Sequence, residues 1–283
     1  MVTLPRGLVG DVERIDADVR GLTGSDEEFL ARAEGPVAET VTELLARCVL
    51  RLGGAPATAD DLRLLSVGDR EALLLHVRQA TLGDRVDCVA TCPDPACGER
   101  LDLTLSVADV LVERPESAPL AWYDETFRAR SGTDVRVVFR VPTGADQEAV
   151  ASLVPDDPAT AATALFERCI REASSAHGSP IDAGLIADLV AERMSDLDPQ
   201  AEIRLVFDCA ACGRRVSVLF DTASYFFAEI SGSSERLYQE VHALAWHYHW
   251  SEREILQMSR EKRRRYLDLI AESVGPRQAR SAA

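Results

Sequence analysis

Two short cysteine pairs, Cys92-Pro-Asp-Pro-Ala-Cys97 and Cys209-Ala-Ala-Cys212, constrain this chain more than any other feature of its sequence. Each is followed by glycine, Gly98 or Gly213, and each is flanked by stretches that alternate apolar and polar residues. Residues 85–91 and 101–107 enclose the first pair, and 201–208 and 215–220 the second. Each unit therefore reads as a β-hairpin with two cysteines at its tip. Short spacing lets one turn aim two sulfurs at one point, and glycine after the second cysteine takes the positive φ that turns N–H groups toward sulfur. Together Cys92, Cys97, Cys209 and Cys212 predict one tetrahedral zinc site with Zn–S bonds near about 2.3 Å. Four thiolates leave no open coordination position, so the expected zinc is structural and not a Lewis acid. The first pair departs from the usual spacing, with four residues inside it, and the pairs lie over a hundred residues apart. The hairpins must then converge across the elements between them. Two separate redox or disulfide pairs, or free thiols, are the alternatives; a redox Cys-x-x-Cys would want a thioredoxin-like βαβ setting. Cys88 is on the strand before Cys92 and reads as a buried neutral thiol or a substitute ligand.

The charge balance narrows the partners. With 31 Lys+Arg against 47 Asp+Glu the net charge is −16, which opposes binding to phosphate backbones. No nucleic acid, membrane or small-molecule substrate is expected. The 283 residues contain no apolar run near the roughly 20 residues that cross a bilayer, and the amino terminus lacks the core of a secretory signal. A cytoplasmic location follows as the expectation. Phosphate-cradling glycine loops, Gly-x-Ser-x-Gly elbows and His-Glu-x-x-His are all missing, so no enzyme activity is expected.

Along the chain the periodicity predicts an α+β protein. Its zinc-ribbon-like hairpins join a small mixed sheet with strands at 122–128 and 135–141, flanked by helices and ending in a helical module. Residues 1–25 read as a weakly ordered arm, 26–222 as the zinc-ribbon-containing domain, 223–275 as the helical module and 276–283 as a disordered tail. Helices are expected over 37–52, from near Asp69 to Gly83, and over 146–153, 158–172, 185–194, 233–248 and 260–273. Ser251-Glu-Arg-Glu254 is a capping box that opens one more helix. Cys48 reads as a core thiol and His177 as a solvated loop residue. The run from Arg260 to Arg265 reads as a solvated helix face or a contact for an acidic partner. His242, His247 and His249 lack an acidic companion for a metal signature, so helix packing or partner contact is favoured for them.

The segment Glu240-Val-His-Ala-Leu-Ala-Trp-His-Tyr-His-Trp-Ser-Glu-Arg-Glu-Ile-Leu256, followed by Arg263-Arg-Arg-Tyr-Leu267, resembles the carboxy-terminal motif of the T-even-phage-type baseplate hub assembly chaperones. These occur in tailed phages and in phage-tail-like contractile injection systems. Val138-Phe-Arg-Val-Pro-Thr-Gly-Ala-Asp146, Leu165-Phe-Glu-Arg-Cys-Ile170 and Asp198-Pro-Gln-Ala-Glu-Ile-Arg-Leu205, leading into the second knuckle, extend the likeness from about Val37 to Leu269. The resemblance implies a non-enzymatic factor that helps build a baseplate hub, with hub, spike or tape-measure proteins as partners. A permanent baseplate component is the alternative, followed by a zinc-ribbon nucleic-acid adaptor and a thiol-redox enzyme. Trp246, Tyr248, Trp250 and Tyr266 are the expected partner-binding residues, since aromatic side chains on an amphipathic end suit a partner groove.

Overall fold

The computed structural model describes residues 1–175 and 178–274; His177 and the tail 276–283 lie outside the described residues. The first half runs β1 Val2–Thr3, β2 Leu8–Val9, β3 Val12–Glu13, β4 Asp16–Val19, α1 Gly24–Arg32, α2 Val37–Cys48, β5 Val49–Leu52 and β6 Ala55–Pro56. It continues with α3 Ala59–Leu64, α4 Val67–Leu82, the hairpin β7 Arg85–Thr91 and β8 Arg100–Ser106, and one turn of helix, α5 Val107–Val110. The order β1-β4-β5-β6 makes a four-stranded antiparallel sheet. Residues 1–25 are thus not a loose arm. Leu4, Ala17 and Leu22 are buried with α2 and α4 in the largest apolar core. The buried Arg6 guanidinium donates to the carbonyls of Leu197, at 2.8 Å, and Leu120, at 3.0 Å. Buried Asp69 accepts the N–H groups of Arg6 and Gly7, both at 2.8 Å. Two-residue strands are too short to leave a period-two trace, so this segment carries no pattern in the sequence.

The second half repeats the plan: β9 Tyr123–Arg128, β10 Asp134–Phe139, α6 Gly144–Val150, α7 Pro158–Cys169, β11 Ile170–Ser175, α8 Ala187–Leu197, the hairpin β12 Arg204–Asp208 and β13 Arg215–Leu219, and α9 Thr222–Ser231. The correspondence reaches single bonds. Arg20-x-x-Thr23-Gly24-x-Asp26 opens α1 as Arg140-x-x-Thr143-Gly144-x-Asp146 opens α6. Asp26 accepts from the Thr23 N–H at 2.9 Å and from Arg20 at 2.6 Å. Asp146 accepts from the Thr143 N–H at 3.0 Å and from Arg140 at 2.5 Å. Both α2 and α7 end in Arg-Cys, at Arg47-Cys48 and Arg168-Cys169, and then turn into a strand. The Arg20 N–H donates to the Cys48 carbonyl at 2.9 Å, and the Arg140 N–H to that of Cys169 at 3.0 Å. The strand pairs Val19↔Val49 and Phe139↔Ile170 both close across a register shift. The chain is an internal duplication, and each copy supplies one cysteine hairpin.

After the second half come α10 Ser234–Tyr248, α11 Glu252–Leu256 and α12 Arg260–Val274. The pair α11–α12 docks on the first half as α3–α4 docks on the second. Both pairs open with a capping box, Thr58/Asp61 and Ser251/Glu254. The Gly144 N–H donates to the Leu65 carbonyl at 3.1 Å, and that of Gly24 to Met258 at 3.2 Å. Beside each glycine lies a fully buried arginine: the Arg70 guanidinium occupies the space that a Cβ on Gly144 would need, and Arg263 together with Leu256 crowds that of Gly24. The basic run is therefore only partly a solvated face. Arg263 is fully buried between Glu27, at 2.6 Å, and Glu240, at 2.9 Å, while Arg260 is 7% exposed.

The fold class is α+β, with small antiparallel sheets and a helical carboxy-terminal region. The strands do not merge into one mixed sheet. Each cysteine hairpin is its own two-stranded ladder, while β9–β11 form a separate three-stranded sheet packed on α8. Helix α9 belongs to the core of the first half through Ala223, Phe226 and Ile230. No helix among the described residues is long and apolar enough to cross a membrane.

Candidate metal centre

The duplication sets the hairpin tips against each other. Within the first tip, the Cys92 N–H donates to the Glu99 carbonyl at 2.8 Å and the Gly98 N–H to Asp94 at 3.0 Å. In the second, the Cys209 N–H donates to Arg214 at 2.9 Å and the Gly213 N–H to Cys209 at 2.8 Å. Gly98 at φ 59° and Gly213 at φ 69° adopt the left-handed backbone that these turns require. Nothing lies near where a Cβ would go at either position, so conformation and not space selects glycine.

The four sulfurs converge. Cys92 and Cys212 are 3.8 Å apart, as are Cys97 and Cys209, and all four ligand atoms lie within 4.8 Å of one another. A tetrahedron with metal–sulfur bonds of about 2.3 Å has edges of about 3.8 Å. Both 3.8 Å pairs run between the hairpins, so a single ion would join the two halves. Among the described residues this is the one group of three or more His, Cys, Asp or Glu side chains placed to hold a metal. Cys92 and Cys209 are buried, Cys97 is half-buried and Cys212 exposed. Leu101 and Val216 form the apolar floor, and an ion pair between Arg214 and Asp94, at 2.9 Å, crosses the two tips.

The electrostatics fit a cation. N–H groups of Cys212 and Ala211 donate to the Cys209 sulfur and pull its thiol down to about 7. Cys97 is pushed up to about 12. The Glu99 backbone opposes that rise, but burial and the thiols of Cys212 and Cys209 outweigh it. Clustered thiols resist joint ionisation, and a dication reverses that by stabilising every thiolate at once. Cys88 stands apart on β7, opposite Leu103, and is not a member of the cluster.

The expected partner-binding aromatics divide. Tyr248 and Trp250 stack at 4.6 Å, and Tyr266 meets Trp250 edge-on at 4.8 Å. All three pack against the carboxy-terminal apolar cluster and hold α10, α11 and α12 together. Trp246 alone projects outward, 72% exposed, with His242 stacked at 6.4 Å. A family model described as T4 bacteriophage base plate protein matches residues 16–228. No match is found among curated proteins or among solved structures.

Proposed function

The chain belongs to the T4 bacteriophage base plate protein family, and from that premise we propose that it is a non-enzymatic assembly chaperone for the baseplate hub of a contractile tail. Its partners are hub, spike or tape-measure proteins, met in the cytoplasm where particles assemble. The observation that carries this reading is the family match, which spans both halves and both cysteine hairpins. The family places the role at the phage baseplate and implies contact with other baseplate proteins. A structural zinc on Cys92, Cys97, Cys209 and Cys212 supplies no reaction; it locks the two copies of the fold into one rigid platform. Four sulfur ligands close its coordination sphere, which supports an architectural role over a catalytic one. The net charge of −16 favours protein partners over nucleic acid.

The family's description as a base plate protein favours a second reading, a permanent baseplate component. One experiment separates the two. The gene is deleted from an otherwise complete cluster, and purified particles from the parent are analysed by quantitative mass spectrometry. A chaperone is absent from finished particles, co-purifies with hub intermediates, and its deletion stops hub assembly. A fixed stoichiometry in the particle supports the permanent component, and normal baseplates without the gene would end both readings.

A further inference from the structure

The duplication exposes an asymmetry. In the first half, α1 and α2 present Leu30, Val41 and Leu44 to a common apolar cluster. Helix α9 closes that cluster, and its Ala223, Phe226 and Ile230 are at most 4% exposed. In the second half the corresponding face consists of Val150 on α6 with Ala162 and Leu165 on α7. The element that repeats the position of α9 after the first hairpin is α5, and it is a single turn, Val107–Val110. The helix that seals the first half has no full-length counterpart against α6 and α7 among the described residues.

The face is a cleft of about 640 Å³. Its walls are largely apolar and its rim carries exposed large side chains, with Val37 at 50%, Val154 at 48% and Leu219 at 60% exposure. A few polar groups converge on this surface. The fully buried Arg70 contributes to its lining, and Glu71 and Asp221 add two carboxyls. Apolar walls with a small number of placed polar groups mark a binding site. In the first half, Glu27 stands where Gln147 stands here, and arginines of α12 occupy it.

From this we infer that the α6–α7 cleft takes a helix from a partner protein, a helix of the α9 type with large apolar side chains at i and i+4 and a basic side chain that meets Glu71 and Asp221. The first half shows what fits such a face, because Phe226 and Ile230 are one helical turn apart. The carboxyls at the cleft and the acidic chain select a basic partner over an acidic one. This inference rests on the reading that the protein works by binding other baseplate proteins, and it names the segment it would hold. A second copy of this chain is disfavoured as occupant by the like charge of −16 on each.

The test uses the full-length, metal-loaded protein and two fluorescein-labelled, hydrocarbon-stapled peptides. One copies residues 221–232 and the other carries Glu229→Lys. Anisotropy should show saturable binding of both, with the lysine peptide at least threefold tighter. Ala162→Trp, at an exposed small residue, and Leu165→Arg should each weaken binding at least tenfold. Leu189→Arg on α8 should leave it unchanged, and Glu71→Gln should remove the preference for lysine. Circular dichroism and metal content confirm that each variant is folded. Failure of both peptides to saturate, or equal binding to the parent and Ala162→Trp, overturns the inference. The readout needs no particle, so it fails independently of the chaperone reading.

Discussion

Replacing Arg263 with methionine should release α11–α12 while leaving the duplicated body folded. The guanidinium is fully buried and donates to Glu27 at 2.6 Å, to Glu240 at 2.9 Å and to the Met258 carbonyl at 2.9 Å. Methionine keeps an unbranched apolar stem but leaves two buried carboxylates short of a cation. Breaking one buried pair costs about 3–5 kcal/mol. Here Glu27 keeps Arg260 at 3.6 Å and Glu240 keeps Arg236 at 3.2 Å, so the loss is only partial. We expect about 2–4 kcal/mol, roughly 1 kcal/mol below that range. At about 1.4 kcal/mol per decade this raises the opening of the docked helices roughly 30- to 700-fold. Native-state hydrogen exchange reads it directly as faster exchange in peptides covering α11 and α12, with β9–β11 unchanged. The triple variant Arg263→Met, Glu27→Gln, Glu240→Gln removes the stranded charges and should recover at least half of the loss. Less than threefold faster exchange in the single variant, or a triple variant no better than the single, would show that the Arg263 ion pairs do not hold these helices down.

Gly144→Ala drives a Cβ into the Arg70 guanidinium; overpacking against a buried group should cost about 1–3 kcal/mol in urea unfolding. Burial lifts the Glu71 carboxyl from 4.5 to about 7, with the Thr222 hydroxyl opposing the shift and Asp221 adding to it. That contribution is fully present below about pH 4.5 and is lost as pH rises through 7. Glu71→Gln should therefore gain about 2–3 kcal/mol over the parent between about pH 5 and pH 8, read from urea midpoints at both ends. Trp246→Ala, at an exposed side chain, should change stability by less than about 0.5 kcal/mol. Trp250→Ala breaks two ring contacts and should cost about 2–3 kcal/mol in the same unfolding assay.

Local chemistry makes much of this protein legible in its sequence. The cysteine hairpins, the Gly83 helix stop and the Ser251 capping box all appear where short-range rules put them, because each depends on residues only a few positions apart. The expected helix over 37–52 instead ends at Cys48, and the one over 158–172 ends at Cys169. In both places an apolar residue follows the cysteine with no Gly or Pro to stop the helix, and only pairing with β4 or β10 makes Val49 and Ile170 the first residues of strands. The duplication is present in the letters, as Arg-x-x-Thr-Gly-x-Asp at Arg20 and Arg140 and as Arg-Cys at Arg47 and Arg168. Outside these few structural contacts the copies have diverged, so periodicity alone passes over the repeat. The aromatic trio Tyr248, Trp250 and Tyr266 reads as surface because helix periodicity does not report how α12 folds back over α10.

In the proposed architecture one dication, held by a cysteine pair from each half, joins the two copies of the fold. X-ray absorption spectroscopy combined with elemental analysis, on protein purified without chelator, reads out that ion and its ligands. One zinc per chain is expected, with four sulfur scatterers at about 2.3 Å, and it should be lost in both Cys92→Ser and Cys209→Ser. A metal-free chain, a shell containing oxygen or nitrogen, or full zinc retention after either substitution would contradict it.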